Sequence, residues 1–320
     1  MTDTAFYCVA DARYFLGAVG LVNSLRLVGH DEPVVLLDCG LTGAQRDLLA
    51  AEADVRAAPG DSPPWLLKTV APLARPAEVT VLVDTDMIVT RPLTEPLESA
   101  REGRVVAFRD RQDRHFPEWG ELLGLGHAER RPYVSSGFVA LGGEVREPVL
   151  RELDSSRDAV DFERTFWRRN ERDYPFLYAD QDVLNAILSA TLEARAVVAL
   201  DNRLAPNPPY RGLRVRDAAK LRCAYRDGTE PFVVHQYVRK PWLEPTYDGV
   251  YSRLLRRLLT GGDVAVPVPD GQLPSRLRGG ARARAERVLV NARDYPRWRF
   301  GDRLPAAIGD RIEDRRKGRA

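Results

Sequence analysis

Short, almost continuous apolar runs alternate along the chain with stretches whose apolar residues recur at helical spacing. Residues 5–9, 33–37 and 79–83 are runs of Val, Leu, Ala, Phe and Cys with few polar interruptions. Runs of that length read as strands buried on both faces. Between them, residues 16–27 carry apolar side chains at helical spacing. Thr42 and Gln45 stand three apart before another apolar stretch, the spacing of a capping box that opens a helix. Further strands are expected at 104–108, 138–141, 196–200 and 232–234. Helices are expected at 180–188, opened by acidic residues that complement the helix dipole, and at 251–259. This alternation predicts an α/β fold, a largely parallel sheet flanked by helices. There is no internal repeat and no low-complexity tract.

The pattern loosens after residue 260. Gly and Pro are frequent in 261–274, which reads as a linker between a domain at 1–260 and an extension at 261–320. Residues 271–320 hold fourteen Lys or Arg against six Asp or Glu, a local excess of eight that leaves the rest of the chain at −6 within a net charge of +2. In 293–300 arginine is interleaved with aromatics, and Arg315, Arg316, Lys317 and Arg319 close the chain. Three readings fit this extension: peripheral contact with an anionic membrane carrying a lipid-linked acceptor, a solvated tail, or a subunit contact.

Composition narrows the class. The hydrophobic share of 44% and charged share of 29% over 320 residues are globular values and exclude a disordered chain. The small net charge argues against a polyanion binder, and no nucleic-acid partner is expected. Cys8, Cys39 and Cys223 form no C-x-x-C pair and read as buried free thiols in a reducing compartment. The N-terminus lacks a signal-peptide pattern, and no apolar run nears the roughly 18 residues of a membrane span. A cytoplasmic protein is expected, with a peripheral position at the inner membrane face if the extension binds lipid. Of 48 basic residues only Lys68, Lys220, Lys240 and Lys317 are lysine, so a lysine here marks a place for a compact point charge.

The strongest chemical signal is Val79-Thr-Val-Leu-Val-Asp84-Thr-Asp86. Residues i and i+2 of a strand point the same way, so both carboxylates would converge at the strand's carboxyl end. Their repulsion is resolved by a divalent cation, and hard oxygen ligands suit Mg²⁺ or Mn²⁺. The carboxyl edge of an open sheet is also where ligands bind. A solvated loop with no ion is the competing reading of the pair alone.

With its neighbours, this segment resembles family 8 glycosyltransferases, which include glycogenin and bacterial lipopolysaccharide galactosyltransferases. The resemblance runs through ordered short blocks between about residue 5 and residue 242. It implies a GT-A fold, a Rossmann-like, mostly parallel mixed sheet flanked by helices, and sugar transfer with retention. Asp11 and Tyr14 resemble the family's Asp-x-x-Tyr element, in which the Asp pairs with the uracil edge and the Tyr stacks on the base. Taken alone, Asp11 could equally cap the following helix, with Tyr14 in the core. Lys68, sixteen positions before Asp84, resembles a basic residue that reaches the donor sugar or phosphate. Asp84 and Asp86 resemble the metal ligands. Ser136 and Gly137 fall in a block that binds donor, with Ser135 where the family usually has Asn.

Asp180 and Gln181 resemble the Asp-Gln-x-x-x-Asn element ending here at Asn185. There the Asp touches sugar hydroxyls and the Gln lies near the anomeric carbon. An amide is a poor nucleophile, so its carbonyl would stabilise oxocarbenium-like charge. His235 resembles the third metal ligand, and an imidazole beside two carboxylates tilts the choice toward Mn²⁺. Lys240, in Lys-Pro-Trp, would neutralise the departing diphosphate, with Arg239 taking part of the load. The family's His–Lys gap is one residue longer and contains a Gly missing here. The longer stretch 109–131, rich in Arg, Glu and aromatics, is expected to shape the acceptor site.

The implied protein is a hexosyltransferase-type enzyme moving a sugar from a nucleotide-sugar donor, a UDP-sugar, to a carbohydrate, lipid-linked or protein acceptor. A degenerate nucleotide-sugar-binding protein is one rival. A sugar-nucleotide nucleotidyltransferase is another, but residues 10–16 lack its Gly-rich basic phosphate loop.

Overall fold

In the computed structural model, residues 2–60 and 63–300 are described; Arg315, Arg316, Lys317 and Arg319 lie outside the described residues, as do the side chains of 295–300. The strands are β1 (Thr2–Ala10), β2 (Val34–Asp38), β3 (Asp54–Ala57), β4 (Ala77–Val83), β5 (Met87–Val89), β6 (Val105–Arg109), β7 (Val134–Gly142), β8 (Val197–Leu200), β9 (Arg214–Asp217), β10 (Arg222–Ala224) and β11 (Val233–His235). Seven of them form one sheet in the order β3-β2-β1-β4-β7-β6-β8. Every neighbour pair is parallel except those of β7, which runs against both β4 and β6. The expected mostly parallel, mixed sheet is therefore present. β9 and β10 form a separate hairpin, and β5 pairs antiparallel with β11.

The helices are α1 (Phe15–Leu27), α2 (Gly43–Leu49), α3 (Val70–Ala74), α4 (Thr94–Arg101), α5 (Trp119–Leu122), α6 (Gly143–Ser155), α7 (Asp180–Thr191), α8 (Val250–Thr260) and α9 (Ala281–Phe300). α2 begins with the capping box read from the sequence: Thr42 Oγ1 accepts from Gln45 N–H and Gln45 Oε1 accepts from Thr42 N–H. Strand alternation splits the core. Phe6, Cys8, Val34, Leu36, Val79 and Val81 face α1 and α8, while Ala5, Tyr7, Val35, Leu37 and Leu82 face α6 and α7. Each fully buried Val, Leu or Phe contributes about 1.5–3 kcal/mol. α1 is buried on nearly every face, and a Cβ on its Gly17 would sit 2.5 Å from the Thr85 carbonyl oxygen. That close approach sets the helix against the turn that follows β4.

Residues 261–277, expected as a linker and the start of the extension, place several apolar side chains against the domain. Val266, Leu273 and Leu277 are buried in the α1–α8 core. The Asn23 amide of α1 donates to the Leu258 and Val266 carbonyls and accepts from Val266 N–H. Gly and Pro here exclude a regular helix, but they leave the interspersed Val and Leu free to pack. Cys8, Cys39 and Cys223 are free, with Cys8 and Cys223 buried. Among the described residues no helix is long and apolar enough to cross a membrane.

Candidate active site

β4 runs to Val83, and the chain then turns: Met87 N–H donates to the Asp84 carbonyl at 3.1 Å, and β5 leaves in a new direction. Asp84 and Asp86 thus flank a turn and do not extend one strand. They still converge, because the turn performs what strand alternation was expected to do. β5 pairs with β11 so that His235 lies opposite Met87, which brings the imidazole beside Asp86. One ligand atom each from Asp84, Asp86 and His235 lies within 4.8 Å of the others. His235 Nε2 is 3.1 Å from Asp86 Oδ1. Two ligands at right angles on an ion with bonds of about 2.1 Å would stand about 3 Å apart. Asp86 Oδ1 is also buried without a hydrogen-bond partner. A hard divalent cation fits this donor set.

Two of the four lysines complete the cluster. Lys68 Nζ bridges Asp84 Oδ1 at 2.6 Å and Asp180 Oδ2 at 2.8 Å. Lys240 Nζ pairs with Asp86 and with the Gln236 carbonyl. The carboxyl groups answer to these surroundings. Burial raises the Asp84 carboxyl above its ordinary value, with Asp86 adding to the shift, and Lys68 only partly offsets it. Burial acts in the same sense on Asp86, but Lys240 and His235 outweigh it and hold that carboxyl below the ordinary range. Burial likewise works against the charge of Lys68, yet Asp180 and Asp84 prevail and raise its amine.

The other expected residues gather round this centre. Gly137 on β7 accepts Asp84 N–H at its carbonyl, 2.8 Å away. A Cβ at 137 would meet Met87 Cε at 2.6 Å, His235 Cε1 at 2.9 Å and Asp84 Oδ2 at 3.3 Å, so glycine is what lets β7 pass the cluster. Gln181 Oε1 faces Ser136 N–H at 3.4 Å, and its amide nitrogen faces Asp110 at 3.4 Å. Asp11 Oδ1 accepts from Arg13 and Tyr14 N–H, both at 2.9 Å, which shapes the turn into α1. Tyr14 packs edge-on against Trp242, and Lys240 Nζ lies 5.7 Å from its ring centre. Trp242 Nε1 donates to the Arg13 carbonyl, so the two ends of the resemblance meet. Burial, with Asp86 and Asp84 nearby, pushes the Tyr14 phenol up to about 12.

Arg239, expected to share the phosphate load, is held by groups of the chain itself. Its guanidinium contacts Glu244, Asp294 of α9 and the Pro245 carbonyl, leaving Lys240 as the cation of this loop on the carboxylates. Arg239 also adopts φ +32, the left-handed region that favours glycine. The shortened loop turns there without the family's Gly, and the Gln236 amide ties the Val238 and Arg239 carbonyls beneath it.

Sequence reasoning missed two supports. The buried Asp182 carboxylate accepts from Arg114, from the Tyr133 hydroxyl at 2.6 Å and from Tyr178 N–H at 2.7 Å, anchoring the 109–131 stretch to α7. Asn185 bonds both backbone groups of Val134, fixing the start of β7. The only signal was the position of both residues in the Asp180–Asn185 block. Beside Gln181, Arg109, Asp110, Gln112 and Arg130 line an open groove.

A mostly parallel sheet with one reversed strand, helices on both faces and an acidic pair with histidine at the carboxyl end of β4 defines the GT-A glycosyltransferase fold. The similar solved structures include LgtC, a galactosyltransferase, in complex with donor and acceptor sugar analogues. That structure is 18% identical over 84% of this chain and 100% of its own, with a TM-score of 0.52. An active-site Gln-to-Glu mutant of LgtC is 17% identical over the same shares, also at 0.52. The bifunctional glycosyltransferase WbbM, in its apo form, is 15% identical over 81% of this chain and 50% of its own, at 0.51. No family model matches the sequence, and no curated protein matches it. The resemblance to family 8-type enzymes is therefore borne out as a shared fold.

Proposed function

We propose that the chain is a metal-dependent hexosyltransferase that moves a sugar from a UDP-sugar to a carbohydrate, lipid-linked or protein acceptor, with retention. The observation that carries this reading is the convergence of Asp84, Asp86 and His235, with Lys68 and Lys240 on either side. Asp84, Asp86 and His235 would hold Mn²⁺ or Mg²⁺, which supplies positive charge against the donor diphosphate. The residues do the rest. Lys240 neutralises the leaving nucleoside diphosphate, the main electrostatic task in breaking this bond. Lys68 and Asp180 bind sugar hydroxyls, Ser136 and Gly137 border the sugar, and the Gln181 carbonyl faces the charge that develops at the anomeric carbon. Asp11 and Tyr14 hold the base. The groove beside Gln181 receives the acceptor.

Donor hydrolysis across UDP-, GDP- and dTDP-sugars, with Mn²⁺ and with chelator, tests this reading. Release of one nucleoside diphosphate should require metal and fall by at least about 10²-fold in Asp86→Ala. Silence across the panel, without metal-dependent nucleotide binding, sinks the metal-site assignment. Binding without release, persisting through an acceptor screen, identifies the degenerate binding protein instead.

We also propose a peripheral contact between α9 and an anionic lipid surface. α9 turns its polar side inward: Asn291 accepts from Asp248 N–H, and Asp294 pairs with Arg239. Ala285, Val288, Leu289 and Ala292 face outward, with Val288 62% and Leu289 72% exposed, beside the exposed Arg284 and Arg293. Apolar residues flanked by arginine suit a headgroup boundary. Cosedimentation with anionic vesicles should be lost in Val288→Asp/Leu289→Asp, and equal binding by both proteins removes α9 from the explanation.

A further inference from the structure

A cavity of about 40 Å³ lies behind the Lys68–Asp180 pair, and nothing in the proposed chemistry uses it. Its volume is several times the ~10–15 Å³ that a single water needs. Leu82 of β4 and Val139 of β7, which are register partners, lie against it, with Leu153 of α6 and Val183 and Leu184 of α7. Trp65 closes the outer side, stacked on Phe162 at 5.1 Å between ring centres. Of the polar side chains at its edge, Lys68, Thr69, Arg157 and Asp180 are held by ion pairs or hydrogen bonds, and Ser136 and Ser156 add hydroxyls. Lys68 is shared by Asp84 and Asp180, the Thr69 hydroxyl donates to Asp154, and Arg157 is paired with Asp154.

We infer that this cavity takes a methyl group carried by the donor sugar, so that the enzyme selects donors with an apolar substituent over their hydroxylated counterparts. The inference rests on the donor-site reading above, which places the sugar over Lys68, Ser136 and Asp180, all of which also line the cavity. A hydroxyl carried past that polar edge to Leu82, Val139, Leu153 and Val183 would give up its bonds to water and meet aliphatic carbon. A methyl group entering it gains contacts and loses nothing. Hydrophobic pockets discriminate a methylene by 10–200-fold, which sets the scale. Two sugar classes carry such a group: a 6-deoxyhexose at C6, and a 2-acetamido sugar at the end of its acetyl group.

UDP-glucose, UDP-6-deoxyglucose and UDP-N-acetylglucosamine, with the matching galacto series, differ only at these positions. Mn²⁺-dependent kcat/KM for donor hydrolysis, or Kd where turnover is slow, would be measured for each. One methyl-bearing class should exceed its hydroxylated parent by at least about 10-fold. Whether the gain appears in the C6 arm or the C2 arm identifies the source. Val160→Phe and Leu153→Phe each fill the cavity from a different side, and Tm shows which of them fold. In either folded variant the preference should shrink to about 2-fold or less, with the hydroxylated donor little changed. Equal handling of all donors by the wild type, or a preference that survives filling, overturns the inference while leaving the transferase reading intact. Failure of every donor to bind or react overturns that reading and this inference with it.

Discussion

Gly137 shows how tightly single residues are set around the carboxylates. Its missing Cβ is the space occupied by Met87 Cε and His235 Cε1. Gly137→Ala should displace the imidazole, weakening Mn²⁺ affinity by about 10–100-fold, as loss of a ligand's support does. Tm should fall only as far as about 1–3 kcal/mol of overpacking requires. Titrating Mn²⁺ by calorimetry alongside thermal melts separates the two effects, and unchanged affinity would remove His235 from the site. Asp84, Asp86 and His235 were legible because two carboxylates after a buried strand, with a downstream His-Lys-Pro-Trp segment, have little structural use together. The turn between the carboxylates was not legible, since a strand continuing through Asp86 would present the same sequence. Nor was the placement of Arg239, whose partner Asp294 lies 55 positions away and depends on where α9 docks.

At the scale of elements, α7 joins chemistry to support. Its first turn sends Asp180 outward to Lys68 and Asp182 inward to Arg114 and Tyr133. Ala179 is the cap residue of this helix, and the Asp182 carboxylate takes the Tyr178 N–H. Burial raises the Asp182 carboxyl above its ordinary value despite the Arg114 charge and the hydrogen bonds from Tyr133, Tyr178 and Arg114. Removing one partner of such a buried pair costs about 3–5 kcal/mol, because the other charge stays buried and unpaired. Arg114→Met should therefore lower Tm by several degrees. The double variant Arg114→Met/Asp182→Leu should recover part of that loss. A double variant no more stable than the single would show that the remaining charge is not the cause. Long strands such as β1, β4 and β7 were readable from their apolar runs. β3, β9 and β10 were not: they span three or four residues with exposed polar positions, too short to show a strand's alternation.

We propose that the whole molecule divides at a different place from its composition. Gly and Pro make 261–274 look like a boundary, but the buried Val266, Leu273 and Leu277 carry the core through residue 277. A chain ending at residue 260 loses the buried Val266, Leu273 and Leu277, each contributing about 1.5–3 kcal/mol. It also strips the Asn23 side chain of its Val266 partners, and a buried polar group left unpaired costs about 1–3 kcal/mol more. A chain ending at residue 280 keeps all of these contacts and loses the α9 contacts to Asp248 and Arg239. The longer chain should melt cooperatively within a few degrees of the full protein, with donor affinity altered through the Arg239 loop alone. The shorter chain should expose apolar surface and lack a cooperative melt. Circular dichroism melts with dye binding would decide this, and equal stability of the two truncations would return the boundary to residue 260. The expected result would make α9 an accessory to a domain that is complete without it, consistent with a helix whose inner face is polar and whose outer face is apolar.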